Sequence, residues 1–349
     1  MIKYLLITLL TALHISLAGQ IGGTYTYEWL GSPTSARLTA LGGSLITTHE
    51  DDLALAATNP ALLSIKTDKQ VTVNHNFSFA SIGNGYIGYG HSIDSTLSLH
   101  MGVGYATYGD FTAADPLGNI TGQFSGSEAA IVVGAGKRLN ERITVGANIK
   151  GIFGSLESYS SAGLAADLGL TYKNPLANWE VAFLVKNIGI QLSSYGNETA
   201  ATPLDVQIGF SQKLRYLPFR FSILLHNLHR YGIRYDDPSV VGETDLFGNP
   251  INQPSDFSKG FDNVFRHIVI GGEFLLGKNQ NLRLRFGYNH LRRQELSVSS
   301  FRSLAGFSAG FGLKIKGIKI DYGLGYHHLA GAANHLSIST SLNKFFKKK

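Results

Sequence analysis

Two short patterns in the sequence match motifs that carry a catalytic serine. Gly306, Ser308 and Gly310 form G-x-S-x-G, which in α/β-hydrolases holds the nucleophile on a sharp turn between a strand and a helix. Here the pattern lies inside alternating polar and apolar residues, which predict a strand. Ser341 and Lys344 form S-x-x-K, but the K-T-G and S-D-N motifs of penicillin-recognising enzymes do not occur in the chain. We therefore expect neither serine to be a nucleophile.

Cofactor and metal patterns are equally incomplete. Residues 83–88 satisfy G-x-G-x-x-G, yet they begin a predicted strand where a dinucleotide site would begin a helix. The twelve histidines show no zinc spacing with a carboxylate ligand, and the absence of cysteine excludes thiolate chemistry. The net charge is +6, but three lysines end the chain and no segment in the body of the chain concentrates lysines with aromatic residues, so we expect no nucleic-acid binding. The sequence predicts no enzyme, no cofactor and no metal.

Ionisable residues do recur at alternate positions of the predicted strands, on the face opposite the apolar side chains. Both signs are present, so pairing between neighbouring strands or with an internal segment is the favoured interpretation. The alternative is a passage that favours anions. The residues are Lys150, Asp167, Arg220, Glu273, Arg283, Arg285, Lys319 and Asp321.

Strict alternation over about ten residues is typical of strands with one face in lipid and the other in a lumen. In residues 96–106, for example, large apolar side chains alternate with serine, histidine and glycine. Fourteen such strands are predicted, an even number as in single-chain bacterial barrels. They lie near residues 70–80, 84–93, 96–107, 127–138, 142–154, 161–173, 178–188, 204–214, 218–228, 264–275, 281–290, 304–316, 317–327 and 335–346.

Composition supports a membrane protein. Only 15% of the residues are charged, against roughly 25% in soluble domains. The only long apolar run, residues 4–17, follows Lys3 and ends in small residues, which predicts a signal peptide over residues 1–18. An exported membrane protein without spanning helices is expected to be a closed barrel, because a barrel pairs all its backbone groups in lipid. The predicted fold class is therefore an all-β transmembrane antiparallel barrel.

The predicted connections alternate between short and long, as in outer-membrane barrels with periplasmic turns and extracellular loops. The long ones are residues 108–126, 189–203, 231–262 and 291–303. This alternation predicts an outer-membrane protein with both termini in the periplasm.

Residues 19–69 precede the barrel and lack alternation, but they contain many leucines that need burial. A lumen of fourteen strands is too wide for side chains alone to fill. We therefore predict a plug over residues 19–69 and a barrel over residues 70–349, with a flexible periplasmic tail as the alternative for the first segment.

One long loop exposes apolar residues among Asp, Asn, Pro and Gly. Such loops are either surface decoration or docking sites. The candidate docking residues are Asp245, Leu246, Phe247 and Phe257.

The predicted plug resembles the N-terminal segment of the PorV/PorQ family, whose barrels are relatives of the FadL fatty-acid transporters. The resemblance is carried by Arg37, Gly42, Gly43, Asp51, Asp52, Asn59 and Pro60, and it continues at residues 118–122, 155–159, 292–296 and 329–335. Membership would imply a role in the type IX secretion system of Bacteroidetes, in the attachment complex that processes cargo and links it to lipopolysaccharide. The implied partners are a PorZ-like surface protein, PorU- and PorV-like components, and outer-membrane lipid.

Two functions follow as expectations. The first is a barrel that anchors a surface partner through its outer loops. The second is a FadL-like carrier for a hydrophobic small molecule, which should have an apolar pocket beside the plug and a lateral opening, whereas an anchor could be sealed.

Overall fold

The computed structural model describes residues 25–196, 198–234, 255–296, 304–328 and 331–344. The predicted signal peptide lies outside these residues, as do Asp245, Leu246 and Phe247 of the candidate docking loop. In the parts of the chain that are described, no helix has the length and apolarity needed to cross a bilayer.

Fourteen strands form one closed antiparallel barrel, as predicted. Each strand pairs with its neighbours in sequence, and β14 closes the barrel on β1 through pairs from Gln70↔Ser341 to Phe77↔Asn334. The strands are β1 (Gln70–Phe77), β2 (Gly83–Ser92), β3 (Leu97–Ala114), β4 (Ile120–Arg138), β5 (Ile143–Leu156), β6 (Tyr159–Asn174), β7 (Trp179–Ser193), β8 (Asp205–Lys213), β9 (Phe219–Leu225), β10 (Ile268–Leu276), β11 (Leu282–Asn289), β12 (Phe307–Ile315), β13 (Ile318–His328) and β14 (Gly331–Ser341).

The predicted loop over residues 108–126 is wrong. Strands β3 and β4 continue through most of it, and the cross-strand rings of Phe111 and Phe124 stack at 5.1 Å. Strand β7 likewise continues to Ser193, into the predicted loop over residues 189–203. The alternation in sequence fades in these extensions because both faces of the extended β3–β4 hairpin are largely exposed.

Two predicted irregular segments contain helices. Residues Asp256–Arg266 form a helix whose first turn is capped by the side chain of Ser255, so β10 begins at Ile268 and not at residue 264. Residues His290–Leu296 form a second helix after β11.

The two ends of the barrel differ. The links at one end, here called the short-turn end, are residues 93–96, 139–142, 175–178, 214–218, 277–281 and 316–317. The opposite end, here called the long-loop end, carries residues 226–267 and 290–306. That the short-turn end faces the periplasm remains a prediction.

Residues 25–69 lie inside the lumen and are called the plug below. They contain α1 (Ala36–Ala40) and α2 (Ala54–Thr58), so the helices Asp256–Arg266 and His290–Leu296 become α3 and α4. Turns of 3-10 helix cover Glu28–Gly31, Pro60–Leu62 and Ile65–Thr67. A core within the plug consists of Leu38, Leu41, Leu45, Leu55 and Leu62, all at most 3% exposed.

Glycines in the wall let the plug backbone approach closely. A methyl group on Gly146 would lie 2.4 Å from the carbonyl carbon of Pro60, and one on Gly287 would lie 2.2 Å from the amide nitrogen of Gly42. A methyl group on Gly323 would lie 2.2 Å from the carbonyl oxygen of Ala36. These distances are far below van der Waals contact, so the lumen wall is shaped for a plug in this position.

Candidate functional site

Arg37 in α1 is the centre of the contacts between plug and wall. Ser35 caps α1 by accepting a hydrogen bond from Leu38 N, which fixes the start of the helix. The guanidinium donates to both carboxylate oxygens of Glu273 in β10, at 3.0 and 2.9 Å. It also lies 3.2 Å from Asp52 and 3.1 Å from Glu50, and its side chain is 1% exposed.

Three wall arginines extend these contacts into a network. Arg220 bridges Glu50 at 2.5 Å and Glu273 at 3.0 Å. Arg285 bridges Glu273 at 2.9 Å and Asp321 at 2.5 Å, while Arg283 reaches Glu50 at 3.1 Å. We call this set the arginine network: Arg37, Arg220, Arg283 and Arg285 with Glu50, Asp52, Glu273 and Asp321.

The charges of the plug are stabilised by this pairing. Burial opposes ionisation of Arg37, but Glu273, Glu50 and Asp52 outweigh it and hold its pKa above the ordinary value. Burial likewise opposes ionisation of Glu50, yet Arg220, Arg37 and Arg283 hold its pKa well below the usual range. The network is therefore ionised and electrically compensated.

A second connection lies at Asp51, beside the arginine network. Its carboxylate contacts Lys319 at 2.7 Å and Lys314 at 2.9 Å. Burial raises the pKa of Asp51, but the two ammonium groups have the larger, opposite effect and bring the pKa down to about 2. Lys150 pairs with Asp167 at 2.8 Å. The interpretation of the inward charges as compensating pairs is thus confirmed.

The remaining residues of the plug motif shape the backbone. Gly42 and Gly43 have φ of +89° and +104°, which L side chains rarely adopt, and they turn the chain after α1. Gly42 N donates to Ser308 Oγ at 3.0 Å, so the serine of the G-x-S-x-G pattern holds the plug. Asn59 accepts from Ala61 N at 3.1 Å and thereby caps the turn that begins at Pro60.

A β-bulge that the sequence analysis missed lies where β6 meets β7. The register passes from Ala166↔Ile188 to Leu168↔Val185, and Asn187 has φ of +59°. As a result Lys186 and Asn187, although adjacent in sequence, are both buried, 7% and 1% exposed. Two consecutive polar residues that interrupt an alternating strand, the second an asparagine, were the signal for this bulge.

The bulge borders a cavity of about 370 Å³ at the long-loop end. The plug, β7, β8, β10, β11 and α4 contribute to its wall. Most of its lining is polar, unlike the apolar pocket expected for a hydrophobic carrier. Polar lining residues include Lys186, Asn187, Asp205, Gln207, His226, Asn227 and Asn289, and apolar ones include Leu38, Leu204, Val269 and Leu291.

Only Phe257 of the four candidate docking residues can be placed. It lies on α3 at the long-loop end and is 82% exposed. Phe261 and Phe265 follow it on the same face, 57% and 38% exposed, with ring centroids 6.4 and 4.5 Å apart along the row. This exposed aromatic face is a second candidate site.

Individual histidines of the plug and the wall contact polar side chains of other residue types. His335 accepts or donates at Nδ1 to Thr39 Oγ1, at 2.9 Å, and His49 Nδ1 lies 2.7 Å from Glu180 Oε1. Within the described residues, no three His, Asp or Glu side chains are grouped as metal ligands.

No protein-family model matches the sequence, and no curated protein matches it. Among solved structures, the deltaS2S3 mutant of the monoaromatic hydrocarbon channel TodX aligns with a TM-score of 0.53 and 13% identity, over 88% of this chain and 97% of the other. The toluene transporter TodX of Pseudomonas putida aligns with a TM-score of 0.51 and 13% identity, over 88% and 96%. A Pseudomonas aeruginosa FadL homologue aligns with a TM-score of 0.47 and 10% identity, over 89% and 98%.

Similarity at this level of identity shows the fold alone. The fourteen strands close into one antiparallel barrel, and the alignment covers nearly the whole of TodX. The chain therefore has the fold of an outer-membrane β-barrel, a closed fourteen-strand antiparallel barrel like that of TodX.

Proposed function

We propose that the protein is an outer-membrane carrier that admits a small molecule from the long-loop end, with the short-turn end and both termini in the periplasm. The observation that carries the proposal is the cavity of about 370 Å³ between plug and wall. It lies in a barrel whose fold is shared with a structure described as a monoaromatic hydrocarbon channel. Clefts of this size are typical of small-molecule sites.

In this proposal the plug is the gate. Below the cavity the plug contacts the wall through the arginine network and through the wall glycines, so a solute that leaves the cavity towards the short-turn end needs the plug to move. Compensated ion pairs suit this role. They fix the plug in one position while they are buried, and water can hydrate the separated charges once the plug moves. No covalent chemistry is involved, and we propose a non-enzymatic protein.

A reversible cross-link between plug and wall tests the carrier role. A methyl group on Gly271 would lie 3.4 Å from Leu41 Cβ, close to the separation of about 3.8 Å in disulfides. Because the chain has no cysteine, Leu41→Cys with Gly271→Cys creates a single possible pair. In outer-membrane vesicles we expect oxidation to abolish uptake of radiolabelled solutes, with glucose, glucuronate and toluene as probes, and reduction to restore it.

Each single-cysteine variant, treated with the same oxidant, is the matched control. Unchanged uptake of every probe after complete cross-linking would contradict a carrier gated by the plug. Absence of uptake in the reduced protein and in the wild type would contradict a carrier altogether.

A second function is proposed on a different observation, the exposed aromatic face of α3. A PorQ-like member of the type IX secretion system would use such a face to hold a PorZ-like surface protein. PorU- and PorV-like components and lipopolysaccharide would complete the attachment complex. Exposed aromatic clusters of this kind are typical anchors of protein interfaces.

Replacing the aromatic face tests this role. Phe257→Ser with Phe261→Ser should abolish recovery of a PorZ-like partner when the protein is purified by affinity from its native membrane. Leu117→Ser is the control, because Leu117 is 88% exposed in a different loop at the same end of the barrel. Recovery of the partner with the double variant, or its absence with the wild type, would contradict the anchor.

A further inference from the structure

We infer that the cavity binds a small hydrophilic carboxylate, such as a sugar acid, whose anionic group contacts Lys186. The inference names the ligand class of the proposed carrier and rests on that function for its biological purpose. Binding itself can be measured without transport.

Lys186 is a buried cation, and the two carboxylates near it interact with other groups. Asp205 lies directly opposite it in β8, but the Asp205 carboxylate accepts from Gln207 Nε2 at 2.5 Å and from Asn227 N at 2.6 Å. Asp167 pairs with Lys150, which also donates to Asn187 Oδ1 at 2.8 Å. Within the described residues Lys186 therefore has no ion pair or hydrogen bond, although its side chain is only 7% exposed.

Two further polar atoms beside the cavity have no hydrogen-bond partner in the described part of the chain. They are Gln207 Oε1 and His226 Nε2, in side chains that are 4% and 8% exposed. His226 Nδ1 lies 3.0 Å from the side-chain amide nitrogen Nδ2 of Asn227 and accepts from it, so Nε2 carries the hydrogen. Nearly all buried polar groups in proteins are paired, so three unpaired groups around one cavity indicate a ligand that pairs them.

The unpaired groups define the chemistry of that ligand. Lys186 and His226 supply donors, of which the first is charged, and Gln207 supplies an acceptor. A hydrocarbon would leave all three buried and unpaired, whereas a carboxylate with hydroxyl groups satisfies them. Glu28 and Glu295 also line the cavity, and because both side chains are exposed their carboxylates are open to ligand hydroxyls.

Calorimetric titration of the folded full-length barrel in detergent tests the site. Glucuronate and glucose are matched probes, because they differ by a carboxylate in place of a hydroxymethyl group, and toluene represents the hydrocarbon. We expect glucuronate to bind at least about tenfold more tightly than glucose, as for a charge-assisted hydrogen bond in a buried site. Toluene should not compete.

Lys186→Met should weaken glucuronate binding by about tenfold or more and weaken glucose binding much less, because glucose offers the ammonium group no charged partner. Lys173→Met removes a lysine near the short-turn end that does not line the cavity, and it should have no effect. Lys186→Arg retains the charge and should retain binding, and heat-modifiable gel mobility establishes that each variant is folded.

The outcomes separate the two proposals. Equal affinity for glucuronate and glucose, displacement by toluene, or unchanged binding in folded Lys186→Met would overturn the carboxylate site. Tight glucuronate binding without uptake in vesicles would leave the site standing and overturn the carrier.

Discussion

The two halves of the lumen differ in how their buried polar groups are paired. Towards the short-turn end, Arg37 meets Glu50, Asp52 and Glu273, and the wall arginines complete a network in which the charges are compensated. Towards the long-loop end, Lys186 and its neighbours surround an open cavity with groups that the protein does not pair. A network of compensated charges holds a segment in place, whereas unpaired polar groups around an open cavity can receive a molecule from outside.

Arg37→Met should cause the largest loss of stability, because it leaves Glu50 and Glu273 with fewer cations in a buried site. Removing one partner of a buried ion pair costs about 3 to 5 kcal/mol. Urea titration followed by gel mobility should show this decrease in the free energy of unfolding. Arg142→Met, at an exposed arginine of the short-turn end, should change it by less than about 0.5 kcal/mol. Equal effects of the two variants would mean that the network does not hold the plug.

Gly146→Ala should have the next largest effect. The added methyl group would lie 2.4 Å from the Pro60 carbonyl carbon, so plug or wall must shift, and overpacking of this kind costs about 1 to 3 kcal/mol. Gly151→Ala in the same strand is a matched control, because its nearest neighbour would be a Phe153 ring carbon at 3.8 Å.

Limited proteolysis of the plug distinguishes the two alanine variants further. Gly146→Ala should expose residues 25–69 to cleavage, and Gly151→Ala should not. Identical protection in both variants would contradict close packing of the plug against β5.

The barrel was predictable because alternation is imposed along nearly every strand by lipid on one side and lumen on the other. Strand number and closure followed from it, whereas the ends of β3 and β4 did not, since both faces of these extensions are largely exposed and their pairing continues without an alternating pattern. The helix Asp256–Arg266 also escaped prediction, because its aromatic residues follow a stretch rich in Asp, Asn, Pro and Gly, a composition typical of irregular loops.

The site was predictable only in part. Inward charges could be recognised from alternation, but the choice of partner depends on where the plug lies, and Arg37 meets Glu273 across 236 residues of sequence. The cavity at Lys186 depends on a bulge and on what neighbouring side chains already bind. Neither property is local, so alternation alone could not identify this lysine as unpaired.

A smaller effect is expected from pH at the Asp51 contact. The pKa of Asp51 is about 2 in the folded protein, against an ordinary value of 3.8, so its contribution to stability is complete above about pH 4 and is lost as the pH falls towards 2. Asp51→Asn should therefore flatten the decline in unfolding midpoint between pH 4 and pH 2. Glu157→Gln, at an exposed residue of the long-loop end, should leave the decline as in the wild type. An unchanged profile in Asp51→Asn would show that its lysine contacts do not stabilise the folded state.

The smallest effect on stability is expected from Lys186→Met, although Lys186 is as buried as the residues of the arginine network. Its ammonium group forms no ion pair among the described residues, although Asp167 and Asp205 attract it, so its removal breaks no direct contact and relieves the desolvation of a buried charge. The free energy of unfolding should stay within about 0.5 kcal/mol of the wild type or rise. Lys150→Met is the contrast, since it leaves the buried Asp167 without its ion-pair partner and should lower the free energy of unfolding by about 3 kcal/mol or more. If both variants lost the same stability, Lys186 would be a structural cation like Lys150, and the difference between the two halves of the lumen would disappear.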